Sequence, residues 1–420
     1  MPSEYPHVEV AHKILTEDSF KTVNGVMYMY MFHGFYYPNG KAYIEKRAQH
    51  IFAEKASTYH VNEVVNWIKR ESNAELYEFD NKLEILNCCS GLINMDTLEF
   101  REHSPKYLSM IQIPVYYHPE DDAPAIMQFF NEVLKPEDVD CVLELFAYCL
   151  IRNMAFQKAF LFVGEGANGK STMIELLRIF LGEENCSSVS LHGLEENRFS
   201  KAELSGKMVN LSSDIPSKGI QNVEVFKELT GGDTLTAERK YGHPFQFKNH
   251  AKLVFSANRP PKILNDDTRA LWRRFIIIDF PNKFLDDSAD NNILDKLTTP
   301  EELSGLLNLV LKARLRLLAN QGFSYHKTIE EVSQHYTVLS DPVTSFVEEC
   351  CEIDSNATVE KQELYDAYYK YCQNKGISPV TKETFGRNIT KSIQVKIGSI
   401  RLSKDGQRAY AWKGLKLKDT

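Results

Sequence analysis

The chain has 420 residues, is 43% hydrophobic and carries a formal net charge of −8, enough apolar material for a large core and, at ordinary domain sizes, about two to four domains. No apolar run approaches a membrane span, and the opening MPSEYPHVEV has neither the basic nor the apolar region of a secretory signal, so no membrane partner is expected. Eight cysteines, with Cys88–Cys89 and Cys350–Cys351 adjacent, show no metal-binding spacing and point to reduced thiols in a cytoplasmic or nuclear protein.

Residues 1–118 hold short apolar alternations, such as Val26–Phe32 and Leu83–Leu86, around a helix-like stretch near 61–70. They predict an α+β domain. A polar, proline-punctuated break follows at His118–Pro124. Beyond it, apolar residues at three- and four-residue spacing over 125–134 and 139–155 predict a helical collar, 119–158. The apolar run Ala159–Val163 then reads as a buried strand, opening a domain over 159–322.

That strand runs into Gly164, Glu165, Gly166, Ala167, Asn168, Gly169, Lys170, Ser171 and Thr172, followed by a predicted helix, 173–181. A strand, a glycine-rich turn and a helix in that order form a phosphate-binding loop. Gly164, Gly166 and Gly169 let successive N–H groups turn toward β- and γ-phosphates, and Lys170 adds a mobile positive charge. The hydroxyl of Ser171 is placed to ligate Mg²⁺ at the helix N-terminus. The cofactors predicted are ATP and Mg²⁺.

Three later apolar segments, 208–211, 251–257 and 275–280, suit strands of a parallel sheet covered on both faces. Asp214 follows the first and is the candidate acid for Mg²⁺ and the attacking water, expected on a strand beside that of the phosphate loop. Asn258 ends the second and is placed to hydrogen-bond a γ-phosphate or its attacking water. Arg274 precedes the third and is a candidate arginine finger for a neighbouring subunit. Taken singly, Asp214 and Asn258 fit turn residues and Arg274 a surface charge.

Residues 300–319 read as helix and 323–340 as a linker. From Lys370 to Lys418 there are twelve Lys and Arg against two acids, so the rest of an acidic chain is more acidic still. Helices near 361–372 and 381–393, then strands at 394–400 and 407–412, follow the order of a winged helix over 341–420.

The ordered segments GEGANGKS, MVNLSSD, VFKELTGGDTLTAERKYGHPFQF, KLVFSANRPP and LWRRFIIIDFPNKF resemble the superfamily 3 helicases. More closely they resemble the poxvirus-type and the phage and plasmid primase-helicases, with their AAA+ core. The resemblance implies an α/β fold with a P-loop and parallel sheet, an N-terminal helicase-associated region and collar before it, and a C-terminal winged helix after it. It implies Walker A residues at Gly164, Gly169, Lys170 and Ser171, a Walker B acid at Asp214, a sensor at Asn258 and a finger at Arg274. Where many relatives carry Glu or a pair of acids, Ser212 and Ser213 here precede the single Asp214. The segment 227–247 matches the motif whose hairpin enters the channel of a ring, with Arg239, Lys240, Tyr241 and His243 at its tip, where cations meet phosphates and an aromatic stacks on a base.

The function implied is an ATP-dependent replicative helicase or translocase of a viral, plasmid or other mobile element, a homo-oligomer with hexamer as the expected ring. Single-stranded and forked DNA, and a primase or polymerase of the same element, are the implied partners. Its place is the cytoplasm, the nucleus or a viral replication site, according to host. The competing reading is a nucleotide-driven DNA loader or scaffold ATPase without unwinding. No primer synthesis is expected of residues 1–420.

Overall fold

The computed structural model describes residues 6–213, 215–216, 218–284, 290, 292–392, 398–404 and 407–418. Helix α1 (Pro6–Glu17) is followed by the antiparallel strands β1 (Phe20–Val23), β2 (Val26–Tyr30) and β3 (Tyr36–Tyr37), then by α2 (Gly40–Phe52) and α3 (Thr58–Glu71). Val23 pairs with Val26, so β1 and β2 turn through two residues, Asn24 and Gly25, both at positive φ. That backbone twist matches the twist of the strands it joins. Ser57 caps α3 by accepting a hydrogen bond from the His60 amide. The three helices bury Ile14, Ile44, Val64 and Ile68 against Phe20 and Met27. A second antiparallel sheet, β4 (Ile85–Cys88), β5 (Gly91–Asn94) and β6 (Phe100–Arg101), packs Leu86 and Ile93 against the helices that follow.

Those helices, α4 (Pro124–Val133) and α5 (Pro136–Leu150), each open on a proline, whose missing N–H costs nothing in a first turn. They lead into β7 (Ala159–Val163), α6 (Lys170–Leu181), β8 (Cys186–Ser187), α7 (Leu191–Glu196), β9 (Val209–Ser212), α8 (Glu224–Gly231), β10 (Thr234–Ala237), β11 (Phe245–Lys248), β12 (Lys252–Ala257), α9 (Arg269–Trp272), β13 (Phe275–Asp279), α10 (Ile293–Leu297) and α11 (Pro300–Ala319). Five of the strands form one parallel sheet in the order β13-β7-β12-β9-β8. Phe160, Phe162, Val254 and Ile278 face the collar and α6; Leu161, Leu253, Phe255 and Ile277 face the opposite core. Burial of both faces explains why these strands are continuous apolar runs. β12 lies between β7 and β9, so the strand leading to Asp214 is one place removed from the phosphate-loop strand and not beside it as expected.

Polar groups fasten the layers. Glu302 of α11 accepts from the amides of Ala125 and Ile126, both at 3.0 Å, capping α4, whose own cap residue Ala123 has no acceptor side chain. Arg314, also on α11, donates to the Met95 carbonyl and pairs with Asp96 at 2.6 Å, holding the N-terminal region to α11.

The chain continues through α12 (Ile329–Ser340), α13 (Pro342–Cys350), β14 (Cys351–Glu360), α14 (Lys361–Lys375), α15 (Lys382–Ser392), β15 (Gly398–Lys404) and β16 (Gln407–Leu417). The stretch 323–340, expected to be a linker, instead carries α12. Its Val332 and Tyr336 are buried in the core under the sheet, and the Tyr336 hydroxyl donates to the Pro261 carbonyl at 2.7 Å. β14 has no counterpart among the expected elements; it completes an antiparallel sheet of order β14-β16-β15. The first expected tail strand, 394–400, lies partly outside the described residues, and its described part runs on to Lys404. Among the described residues no helix is long and apolar enough to cross a membrane.

Candidate functional site

The loop after β7 is shaped by close approach. A Cβ on Gly164, at φ +153°, would stand 2.2 Å from Asn168 Nδ2 and 2.6 Å from the Phe280 carbonyl oxygen, so only glycine fits. Gly166, expected to be needed for close approach, would direct a Cβ into open space. Lys170 opens α6 and is 5% exposed. Its ammonium donates to the carbonyls of Gly164 (2.6 Å) and Glu165 (2.9 Å) and to Asn168 Oδ1 (2.9 Å), which centres the charge inside the loop. Glu165, Gly166, Ala167 and Ser171 are exposed or nearly so, and Thr172 is half-buried.

Asn258, the residue after β12, is exposed and lines the same ≈580 Å³ cavity as Gly164, Glu165 and Gly166. Asp214 lies outside the described residues; Ser212, which precedes it, ends β9. Arg274 departs from expectation. It is 8% exposed, and its guanidinium is turned inward, Nε donating to Thr230 Oγ1 at 3.0 Å and Nη1 to the Ala270 carbonyl. The arginine that faces solvent is its neighbour Arg273, which donates to Gln157 Oε1 at 2.7 Å.

The cavity also holds a charge cluster that sequence reasoning missed. Asp279, the last residue of β13, accepts from Lys135 at 2.7 Å, meets His335 at 3.1 Å and has Lys327 at 3.6 Å. Burial alone would raise its pKa, but hydrogen bonding and charge from His335, Lys327 and Lys135 outweigh it and hold the carboxyl well below the usual carboxylate range. An acid closing an apolar strand was visible in the sequence. Its partners, brought from the start of α5, from α12 and from the turn before α12, were not.

Some distance along the chain, β10 and β11 pair antiparallel from Thr234↔Lys248 to Ala237↔Phe245. The turn between them leaves Arg239, Lys240, Tyr241 and His243 exposed, Tyr241 at 96%. The Arg239 guanidinium lies 5.5 Å from the Phe245 ring centre and the Lys240 ammonium 5.3 Å from that of Tyr241. The expected grouping of two cations and an aromatic at one tip is present.

Residues 9–135 match the family described as D5 N terminal like, 162–274 a family of unknown function (DUF5906), and 341–419 the RFX DNA-binding domain. A protein of Acanthamoeba polyphaga mimivirus, named as a "putative helicase", is 26% identical over 301 residues, 65% of this chain and 31% of its own length. These matches support a phage or viral superfamily 3 primase-helicase family for the chain. A second protein so named, from Sputnik virophage, is 21% identical over 350 residues, 78% of this chain and 44% of its own. The chain thus spans less than half the length of either viral relative. The solved C-terminal region of NrS-1 (305–718) aligns over 97% of this chain and 99% of its own, at 13% identity and a TM-score of 0.48.

Asp138, in the first turn of α5 and 6% exposed, sits in the electrostatic field of the Asp279 cluster. Burial pushes its pKa up to about 6; Asp279 adds to the rise, while Lys327 and Lys135 oppose it. A carboxyl raised above its unfolded value of about 3.9 contributes stability that is present below that value and lost as pH rises through the folded pKa. Asp138→Asn should therefore be more stable than the wild type at pH 8 by about 2 kcal/mol, the gain vanishing toward pH 4. Urea unfolding at both pH values is the measurement, and an equal gain at both would refute the assignment.

Proposed function

We propose that the protein is an ATP-driven DNA helicase or translocase that works as a ring, with a hexamer as the expected form, in replication of a viral, plasmid or other mobile element. The observation that carries this reading is the Lys170-centred loop, which shares one cavity with Asn258 at the carboxyl edge of a parallel sheet, while a separate hairpin presents Arg239, Lys240, Tyr241 and His243 to solvent. The family matches support it. The cytoplasm, the nucleus or a viral replication site is the proposed place of action, and a primase or polymerase of the same element the proposed protein partner.

In this reading the N–H groups of residues 164–172 and the Lys170 ammonium hold the β- and γ-phosphates of ATP. The Ser171 hydroxyl, an oxygen donor on the first turn of α6, suits Mg²⁺, with Asp214 the second protein oxygen. When bound, Mg²⁺ neutralises phosphate charge. Asn258 orients the γ-phosphate or its attacking water. Arg274 positions β13 against α8, and the exposed Arg273 takes the trans-acting place expected of Arg274. The hairpin tip meets single-stranded DNA through phosphates and stacking. Residues 1–118 form the helicase-associated region, 119–158 the collar, and 159–322, extended by α12, the ATPase domain. We assign 341–420 as a winged helix for duplex or forked DNA, a role supported by the basic content of 370–418 and by the RFX match.

Four variants test the roles. Lys170→Ala should abolish ATP hydrolysis with the fold retained, since it removes the side-chain charge held inside the loop; near-wild-type turnover in a phosphate-release assay would sink the site. Arginine fingers contribute about 10³- to 10⁵-fold, so Arg273→Ala should lose hydrolysis and regain part of it when mixed into rings with Lys170→Ala, whereas Arg274→Ala should show no such rescue; rescue by Arg274→Ala alone would reverse the assignment. Lys240→Ala should keep basal hydrolysis while single-strand binding weakens and strand displacement on a tailed duplex falls. For every phosphate that the variant no longer neutralises, the salt slope should drop by about 0.7. Unchanged binding and unwinding would remove the hairpin from the DNA path.

A further inference from the structure

The ≈580 Å³ cavity is not made by the ATPase sheet alone. Its lining also takes in α12, α13, the end of α14 and the loop joining α14 to α15, through Leu339, Pro342, Gln373 and Ile377. Phe280 and Pro281, at the end of β13, line it as well. The cavity is therefore lined jointly by the loop after β7 and by the C-terminal segment, with Leu339, Pro342 and Ile377 among its apolar groups and Arg259, His335 and Lys375 among its charged ones. A lining that offers both charged and apolar groups suits a nucleoside triphosphate, whose charged tail and flat, largely apolar head need different surroundings.

The α14–α15 loop is built to stay in place. Gly376, at φ +67°, ends α14; its amide donates to the Gln373 carbonyl at 3.1 Å, and the Ile377 amide to the Cys372 carbonyl at 3.0 Å. This double closure satisfies the last carbonyls of the helix and fixes the direction of Ile377. The loop is then tied to the sheet edge. Arg259, next to Asn258, donates to the Ser378 carbonyl at 3.0 Å, and Lys262 pairs with Asp341, the residue whose side chain caps α13. Both ties leave from the segment that follows β12.

We propose that the C-terminal module is part of the nucleotide site, its Ile377 and Gln373 walling the nucleoside end of a bound nucleoside di- or triphosphate while residues 164–171 hold the phosphates. The proposal rests on the nucleotide reading of that loop. It places residues of the segment assigned to duplex DNA directly against the nucleotide, so occupancy of the cavity and the position of the module are linked, and such linkage is reciprocal.

Calorimetric titration of the full chain with Mg²⁺ and two ligands, ADP and inorganic pyrophosphate, separates the two ends. Taking most of an apolar side chain away from the nucleoside should weaken ADP binding by Ile377→Ala about five- to tenfold and leave pyrophosphate binding unchanged. Arg259→Ala, which frees the Ser378 carbonyl, should act in the same direction, and Ile377→Met, which keeps an apolar wall, should bind as the wild type. Lys170→Ala should weaken both ligands. Wild-type ADP affinity in Ile377→Ala and Arg259→Ala, with loss in Lys170→Ala, would overturn the wall and leave the site standing. Equal weakening of ADP and pyrophosphate by Ile377→Ala would also overturn it, as a general distortion. Retention of both ligands by Lys170→Ala would overturn the nucleotide reading itself.

Discussion

The parallel register of five strands is the constraint on which the rest depends. Parallel strands need crossovers, the crossovers place helices on both faces, and the faces then accept mostly apolar side chains. Polar function is left to the strand ends. Because every strand runs the same way, Gly164 after β7, Asn258 after β12 and Asp279 at the end of β13 emerge on one edge and line one cavity. The order β13-β7-β12 sets Asn258 and Asp279 on either side of the loop that follows β7.

An edge of that kind concentrates charge, and Asp279 shows how the fold manages it. A half-shielded carboxylate among apolar strands is costly unless paired. Three cationic or hydrogen-bonding partners reach it from elements far apart in sequence: Lys135 from before α5, Lys327 from before α12 and His335 from α12. The cluster is therefore also a fastening, holding the collar and α12 against the end of β13. The raised pKa of Asp138 follows from the same crowding, since burial and a nearby fixed carboxylate both disfavour a second negative charge.

What was legible in the sequence was local. GEGANGKST declares its turn because glycine, lysine and serine are needed within nine residues, and β7 and β13 declare themselves by apolar runs, AFLFV and FIII. The hairpin tip was legible for the same reason: its charges and its turn are neighbours in the chain. Asp214 was equally legible but lies outside the described residues. Features that depend on remote packing were not readable. Arg273 and Arg274 are chemically alike, and only the packing of Thr230 and Ala270 decides which points inward. α12 had its signal in Ile329, Val332, Tyr336 and Leu339, at helical spacing, but the polar residues between them looked like a linker. The module's wall on the cavity depends on Arg259 meeting Ser378 across 119 residues.

The inward arginine also bears on how the two ends of the molecule are joined. Thr230 lies in the last turn of α8, and Gly231 and Gly232 lead directly from it toward β10. Asn249, just past β11, donates to the Leu229 and Ala251 carbonyls, so the base of the hairpin is fixed to α8 and to the start of β12 while its tip is bare. Arg274 grips Thr230 from the start of β13, the strand whose other end carries Asp279. β13 is therefore joined to the hairpin base through one hydrogen bond and one helix end. The exposed cations of the tip are thus mounted on the sheet through Arg274 on one side and Asn249 on the other.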